Sequence, residues 1–517
     1  MTDRPPAPLR GWEGHLPPGR PFAVADLTAA GTLPRAWSAR WGRSPGDPVL
    51  LDAATGADAD GRPLDRWWTA GELEAATRRA AGRLAGAGLV PGDRLLWSTG
   101  SSVAALVAHV GALRAGLVVV PANPAYTRRE LDHIVGEVGA AAAVVDDPER
   151  GRWVTAATGG AAVVTGPGLT LPDAPAPVLD AAAPEDDALI CFTSGTTGSP
   201  KGAVLTHRNL MAATAAVVLA WRWDGSDRLV HGLPVFHAHG LCVGVYGTLL
   251  AGASAVLLPG FSPGAVLDAA AEYRGSLLFG VPTMYHRLAA SLRVGELRRL
   301  RLCVSGSAPL PAALHGRMAA AGTVVLERYG MTETLMNVSN PVDGDRRAGT
   351  VGFPLPGVEV DLDGDGEILL RGPNVFGRYW GQPAATAEAF AAAADGGAPW
   401  FRTGDLGAVD DGYLVVRGRS KELVITGGYN VYPAEVEDVL ARHPRVAEVA
   451  VAGTPSDEWG EVVTAWVVPD GPPPTVEELA AFAGDLLADY KRPRLVRVVD
   501  GLPRNPMGKV VRGRLPR

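Results

Sequence analysis

"CFTSGTTGSPKGAVLTH", residues 191–207, sets hydroxyl residues, glycines and a lysine directly after an apolar run. Small side chains leave backbone N–H groups open, and Lys201 adds a positive charge. A loop of this kind suits phosphate. It is not a Walker-type P-loop. Gly195 and Lys201 have the spacing, but Pro200 removes an N–H, and Gly202 stands where a Mg2+-binding hydroxyl would follow the lysine. A plain surface loop can share this composition. The convergence of hydroxyls, glycines and a lysine behind a strand favours the phosphate reading.

Outward from this loop, helical and strand-like patterns alternate. Before it stand "TAGELEAATRRAAGRLAGAG", "DRLLWST", "SVAALVAHVGALRAG" and "LVVVPAN". After it the cycle resumes with "HRNLMAATAAVVLAW" and "DRLVHGL" and runs to "TVVLERYG". Such alternation predicts an α/β fold of two helix-flanked, largely parallel sheets. Past residue 340, Asp-Gly turns in "GVEVDLDGDGEILLRG" and "GDLGAVDDGYLVVRGR" predict hairpins and a small β-barrel-like element. A final α+β unit of about a hundred residues is near the usual size of a domain. The expected division is a large N-terminal domain, 1–420, and a small C-terminal domain, 421–517.

At 517 residues the chain is too long for one core. Its net charge of −7, without a polybasic run, argues against nucleic-acid binding, so an anionic ligand must be held by local groups. Cys191, Cys242 and Cys303 lack disulfide or Cys-x-x-Cys spacing and fit core packing. "SVAALVAHVGALRAGLVVVP" comes nearest to a membrane span, but His109 and Arg114 interrupt it. With no secretory leader at the start, a cytoplasmic chain without membrane attachment is expected.

Further motifs have more than one reading. "DLDGDGEI" resembles the opening of a Ca2+ loop, but its twelfth position is Gly372, so a hairpin turn is the better reading. His231, His237 and His239 lack partners at zinc-site spacing, and a histidine lining a ligand pocket fits better. In "ERYGMTET", Tyr329 can stack on a base, Thr332 can donate to a phosphate, and Glu333 can hold Mg2+; a helix start is the plain alternative. Asp405 in "FRTGDLG" can accept from ribose hydroxyls or simply close a turn.

"TSGTTGSPKG", "SGSAPL", "ERYGMTET", "RTGDLG", "GRSKELVITGGYNVYPAEVE" and "LPRNPMGK" occur in this order over residues 193–509. The set resembles the superfamily of acyl-CoA synthetases, adenylation domains and firefly-type luciferases. The resemblance implies a mobile C-terminal domain and two reactions. A carboxylate attacks the α-phosphorus of ATP and releases pyrophosphate; the thiol of coenzyme A then displaces AMP. It assigns Thr193, Ser194, Gly195, Thr196, Thr197, Gly198 and Lys201 to the β- and γ-phosphates. Ser305, Gly306, Ser307, Ala308 and Pro309, with Glu327, Arg328 and Tyr329, would frame the adenine. Thr332 would touch the α-phosphate, Glu333 would bind Mg2+, and Asp405 and Arg419 would hold the ribose. Lys509 would bridge the attacking carboxylate and the α-phosphate. Lys421 takes the hinge position, and Gly427 and Gly428 would line the coenzyme A tunnel. Many relatives read "GGEN" where this chain has "GGYN", with Tyr429.

"RLVHGLPVFHAHGLCVG", "LLFGVPTMYHRL" and "RAGTVGFPLPGVEV" resemble the malonyl-CoA synthetase branch. That resemblance implies malonate or methylmalonate as substrate, His237 at the acid site, and Arg287 as partner of the far carboxylate. Alternatives are a CoA ligase for a short-chain, medium-chain or aryl monocarboxylic acid, or an adenylation domain that loads a carrier protein. The partner expected is a small carboxylic acid, and monomer and homodimer both stay open.

Overall fold

The computed structural model describes residues 9–19, 21–53, 65–193, 200–427, 429–456, 459–484, 486–505 and 508–516. The first run of alternation builds a seven-stranded sheet. Its order is Arg378–Tyr379, Lys201–Thr206, Asp187–Thr193, Val118–Pro121, Arg94–Ser98, Ala142–Val145, Val163–Thr165. The second run builds a nine-stranded sheet. Six of its strands are parallel: Pro48–Asp52, Ser254–Leu257, Arg228–His231, Leu277–Gly280, Leu302–Ser305 and Leu326–Tyr329. One exchange is invisible to local pattern: Pro48–Asp52 precedes the first run but pairs with Ser254–Leu257 of the second sheet. Asp187–Thr193 and Lys201–Thr206 are antiparallel, so the loop quoted above connects a hairpin.

Helices Ala70–Gly86, Val103–Arg114 and His207–Ala220 fill the layer between the sheets, where residues of both sheets join one apolar core. Leu95 and Trp97 come from one sheet, Phe279 and Val304 from the other. The helix that comes nearest to a membrane span is a core helix. His109 meets the Tyr246 hydroxyl at 2.5 Å, and Arg114, 2% exposed, pairs with Glu74 at 2.5 Å and Asp180 at 3.0 Å. Among the described residues, no helix is long and apolar enough to cross a membrane. All three cysteines are buried and unpaired.

The hairpins form a five-stranded antiparallel sheet from Glu359–Leu362, Glu367–Arg371, Phe390–Ala391, Trp400–Asp410 and Tyr413–Arg419. In the Ca2+-like stretch, the Asp363 carboxylate accepts from the N–H groups of Asp365 and Glu367 at 2.9 and 2.8 Å, closing a turn. A single 3-10 turn, Ser420–Glu422, leads into the separate C-terminal domain. There a sheet of Val424–Thr426, Tyr429–Val431, Val446–Ser456, Gly460–Pro469 and Leu495–Val498 packs helices Pro433–Leu440 and Val476–Phe482 on one face. Ala450 and Trp466 on the other face hold Leu502 and Leu515, which flank the segment of Lys509.

Candidate active site

Strand ends and a hairpin bring the motifs together. Asp405 and Arg419 are cross-strand partners, and their side chains pair at 3.1 Å. Tyr329, at the end of its parallel strand, donates its hydroxyl to Asp405 at 2.6 Å. The carboxylate and phenol thus form one buried unit whose Arg419 neighbour supplies charge. Burial, then the Asp405 charge, holds the Tyr329 hydroxyl protonated far above its ordinary range.

Beside this unit lies a second. Tyr379 donates to Glu333 at 3.0 Å, and the Lys201 ammonium lies 5.1 Å from the centre of the Tyr379 ring. Tyr379 reaches this place because its short strand pairs with Lys201–Thr206. Burial raises the pKa of Glu333, against the Tyr379 hydrogen bond and the Arg419 charge. A buried hard-oxygen donor whose charge is disfavoured alone suits a divalent cation, which takes one or two carboxylates together with phosphate oxygens. Ser194, Gly195, Thr196, Thr197 and Gly198 lie outside the described residues; Thr193 and Lys201 bound them.

The "SGSAPL" segment leaves the strand Leu302–Ser305. Ser307 adopts φ +69°, a strained left-handed conformation for a residue with a side chain. Its hydroxyl lies 3.4 Å from His239 Nδ1. Glu327 accepts from the Leu310 N–H at 2.8 Å, and burial pushes its pKa up to about 8. His237 accepts from the His239 N–H at 3.2 Å; burial, with Arg328 nearby, lowers its pKa to about 4. These histidines open a tight buried turn, His239–Val245, with π-helical spacing. Thr332 is half-buried beside Glu333.

Lys509 comes from the other domain. Asn505 closes the turn around it: Lys509 N–H donates to Asn505 Oδ1 at 2.9 Å and Asn505 N–H to Lys509 O at 2.8 Å. Gly508 has φ +75°, and a Cβ there would stand 2.7 Å from Thr283 Oγ1, so the turn abuts the large domain. Burial lowers the pKa of Lys509, and the Arg419 charge adds to this, while Asp405 and Glu422 oppose it. The lysine therefore stands in the electrostatic reach of the Asp405–Arg419 pair. Arg287 is exposed on helix Pro282–Ala289, 5.0 Å from the centre of the Phe261 ring, one turn beyond Thr283 on the same face.

Gly427 has φ +55°, and a Cβ there would meet Trp459 at 2.9 Å. Gly428 lies outside the described residues. Tyr429, 57% exposed, stacks on Tyr490 at 4.6 Å. Lys421 is exposed in the connecting 3-10 turn. Sequence reasoning missed Tyr379 and Thr283. The first touches Glu333 from 46 positions away, and the second is known only from its contact with the Lys509 turn.

Buried carboxylates, two tyrosines and a lysine from each domain, brought together by strand ends and an antiparallel hairpin, suit an enzyme that activates acids with a nucleotide. The chain belongs to the AMP-binding enzyme family, whose model matches residues 38–380, while the model of that family's C-terminal domain matches 435–509. It is an AMP-forming acid–CoA ligase that resembles malonyl-CoA synthetase. A feruloyl-CoA synthase of Amycolatopsis sp is 38% identical over 474 residues, 87% of this chain and 93% of that protein. The crystal structure of ATP-bound MatB from Rhodopseudomonas palustris is 40% identical, with TM-score 0.85 over 93% of this chain and 98% of its own. A malonyl-CoA ligase ternary product complex with methylmalonyl-CoA and AMP is 39% identical, with TM-score 0.62 over 95% of this chain and 99% of its own.

Proposed function

We propose that the protein joins a small dicarboxylic acid, malonate or methylmalonate, to coenzyme A with ATP as the energy source. The observation that carries the chemistry is the placement of the Lys509 turn, through Gly508, against Thr283, with Lys509 in the field of Asp405 and Arg419. In this reading Asp405 and Arg419 hold the ribose, Tyr329 and the Ser305–Pro309 segment frame the adenine, and Lys201 lies toward the outer phosphates. Lys509 draws the acid's carboxylate and the α-phosphate together and offsets the charge that builds between two anions. Glu333 would hold Mg2+, which supplies further neutralisation of phosphate charge. After pyrophosphate leaves, the small domain turns about Lys421 and brings the side that bears Gly427 and Gly428 to the site, where the thiol displaces AMP. The whole chain superposes better on ATP-bound MatB, with TM-score 0.85, than on the ternary product complex, with TM-score 0.62, though the identities are nearly equal. That difference supports reading the present arrangement as the adenylating one.

The dicarboxylate part rests on the resemblance to malonyl-CoA ligases and on Arg287. Thr283 meets the Lys509 turn, and Arg287 shares its helix face, so its guanidinium can meet a carboxylate that extends from the reacting centre. The similarity to a feruloyl-CoA synthase keeps an aryl acid as the second reading. The test is CoA-dependent AMP release with malonate, methylmalonate, succinate, acetate, butyrate, octanoate, benzoate and ferulate. Malonate or methylmalonate should give the highest kcat/KM. Preference for ferulate or octanoate would overturn the dicarboxylate reading and leave the ligase intact. With malonate, Arg287→Met should lower kcat/KM while leaving the KM for ATP unchanged.

A further inference from the structure

We propose that Arg328 is the buried cation that receives the second carboxylate of the acid, a role that rests on the dicarboxylate reading above. Arg328 follows Leu326 by two positions on one strand, and Leu326 belongs to the core between the sheets; strand alternation turns Arg328 toward the same layer. Its residue exposure is 5%. Its Nε and Nη2 are shut off from solvent without a hydrogen-bond partner, and no carboxylate among the described residues pairs with it. The guanidinium lies against the nucleotide-framing segment: a Cβ at Gly306 would stand 2.3 Å from its Cζ and Nε, so only glycine leaves it room.

The surroundings do not neutralise it. His237 and His239 lie within its field, and both are held neutral, mainly by burial. His239 Nε2 is also buried without a partner. A guanidinium enclosed in this way is strongly unfavourable unless an anion joins it. A ligand carboxylate matches its planar fork and completes the missing hydrogen bonds. An alkyl or aryl end would leave the charge desolvated and unpaired, so the same residue rejects monocarboxylates. Arg287 is exposed over Phe261, where water screens its charge. Arg328, being buried, is the stronger discriminator of the two.

Arg328→Met keeps an unbranched stem and removes the charged guanidinium. Its kcat/KM for malonate and methylmalonate should fall at least ~10²-fold, as when one partner of a buried ion pair is deleted. Activity on butyrate should fall less or rise. The unliganded Tm should rise, because an unpaired buried charge has gone. Malonate added to a non-hydrolysable ATP analogue should raise Tm further in the wild type and not in the variant. Arg328→Lys should restore part of the malonate preference, and serves alone if the methionine variant fails to fold. An unchanged malonate-over-butyrate ratio in Arg328→Met overturns the proposal while the dicarboxylate reading stands. A lowered Tm with equal loss on every acid marks Arg328 as structural and overturns it too. A wild type that prefers monocarboxylates overturns both.

Discussion

In the proposed reaction Lys509 acts as a cation, yet burial and Arg419 hold its pKa below the ordinary lysine value. It is charged and active below that lowered pKa, and activity is lost as pH rises through it. ATP–pyrophosphate exchange should therefore show an alkaline limb below the usual lysine range, and Lys509→Arg should shift that limb upward at a reduced rate. A limb that does not move would assign the titration to another group. Tyr379 touches Glu333, the residue proposed to hold Mg2+. Its hydrogen bond lowers a carboxyl pKa that burial raises, so Tyr379→Phe should raise it further. The variant should need several-fold more Mg2+ for half-maximal rate, with more loss at low pH, since removing one hydrogen bond to a charged group costs about 1.5–3 kcal/mol. An unchanged Mg2+ requirement would separate Tyr379 from the metal. At this scale the motifs were legible because each is contiguous: "RTGDLG" shows Asp405 without a fold. Tyr379, Thr283 and the enclosure of Arg328 were not, since each depends on chain remote in sequence.

The Lys509 segment is a turn pinned at both feet. Arg504 donates to Gly508 O at 2.6 Å and pairs with Glu448 at 3.0 Å. Arg512 donates to Val451 O at 3.0 Å and pairs with Glu422 at 2.6 Å and Glu437 at 2.7 Å. Glu422 lies one residue past Lys421, so this ion cluster ties the Lys509 turn to the start of the small domain. Arg512→Met should lower adenylation ~10-fold or more while largely sparing thioester formation from supplied acyl-adenylate; equal loss in both would show general disorder. Lys421→Pro fixes φ and removes an N–H, and should hold the domain in one arrangement. Stopped-flow mixing should then show adenylate formed without CoA ester. Normal turnover would place the hinge elsewhere. Most elements were legible from period and turn signals: "DLDGDGEI" reads as a hairpin because Asp and Gly close a turn locally. The crossing of Pro48–Asp52 into the second sheet was not, because periodicity says nothing of strand order.

Across the whole molecule, burial of charge-bearing groups governs acid stability. His15, His207, His231 and His237 have pKa values lowered to about 4 and His109 to about 3, in each case chiefly by burial. Above their ordinary value of 6.5 these histidines are neutral in both states. As pH falls from there toward 4, the unfolded chain gains protons that the native chain does not, and stability is lost. Asp52 and Glu327, raised to about 6 and about 8, act oppositely but are fewer. Tm should thus fall steadily from pH 6.5 to 4.5, and a flat profile would contradict the burial of these rings. The separate C-terminal unit was legible from the α+β pattern that follows the Asp-Gly hairpins, but its orientation was not, since no local pattern encodes it. That orientation matters most for the proposed function, in which one small domain presents Lys509 and then the side that bears Gly427. The most direct measurement is the pair of half-reactions of Lys509→Ala with malonate. The account predicts that ATP–pyrophosphate exchange falls at least ~10²-fold, the loss typical of a charge-stabilising donor, while supplied malonyl-adenylate still yields malonyl-CoA at near the wild-type rate. Equal loss in both half-reactions would contradict it.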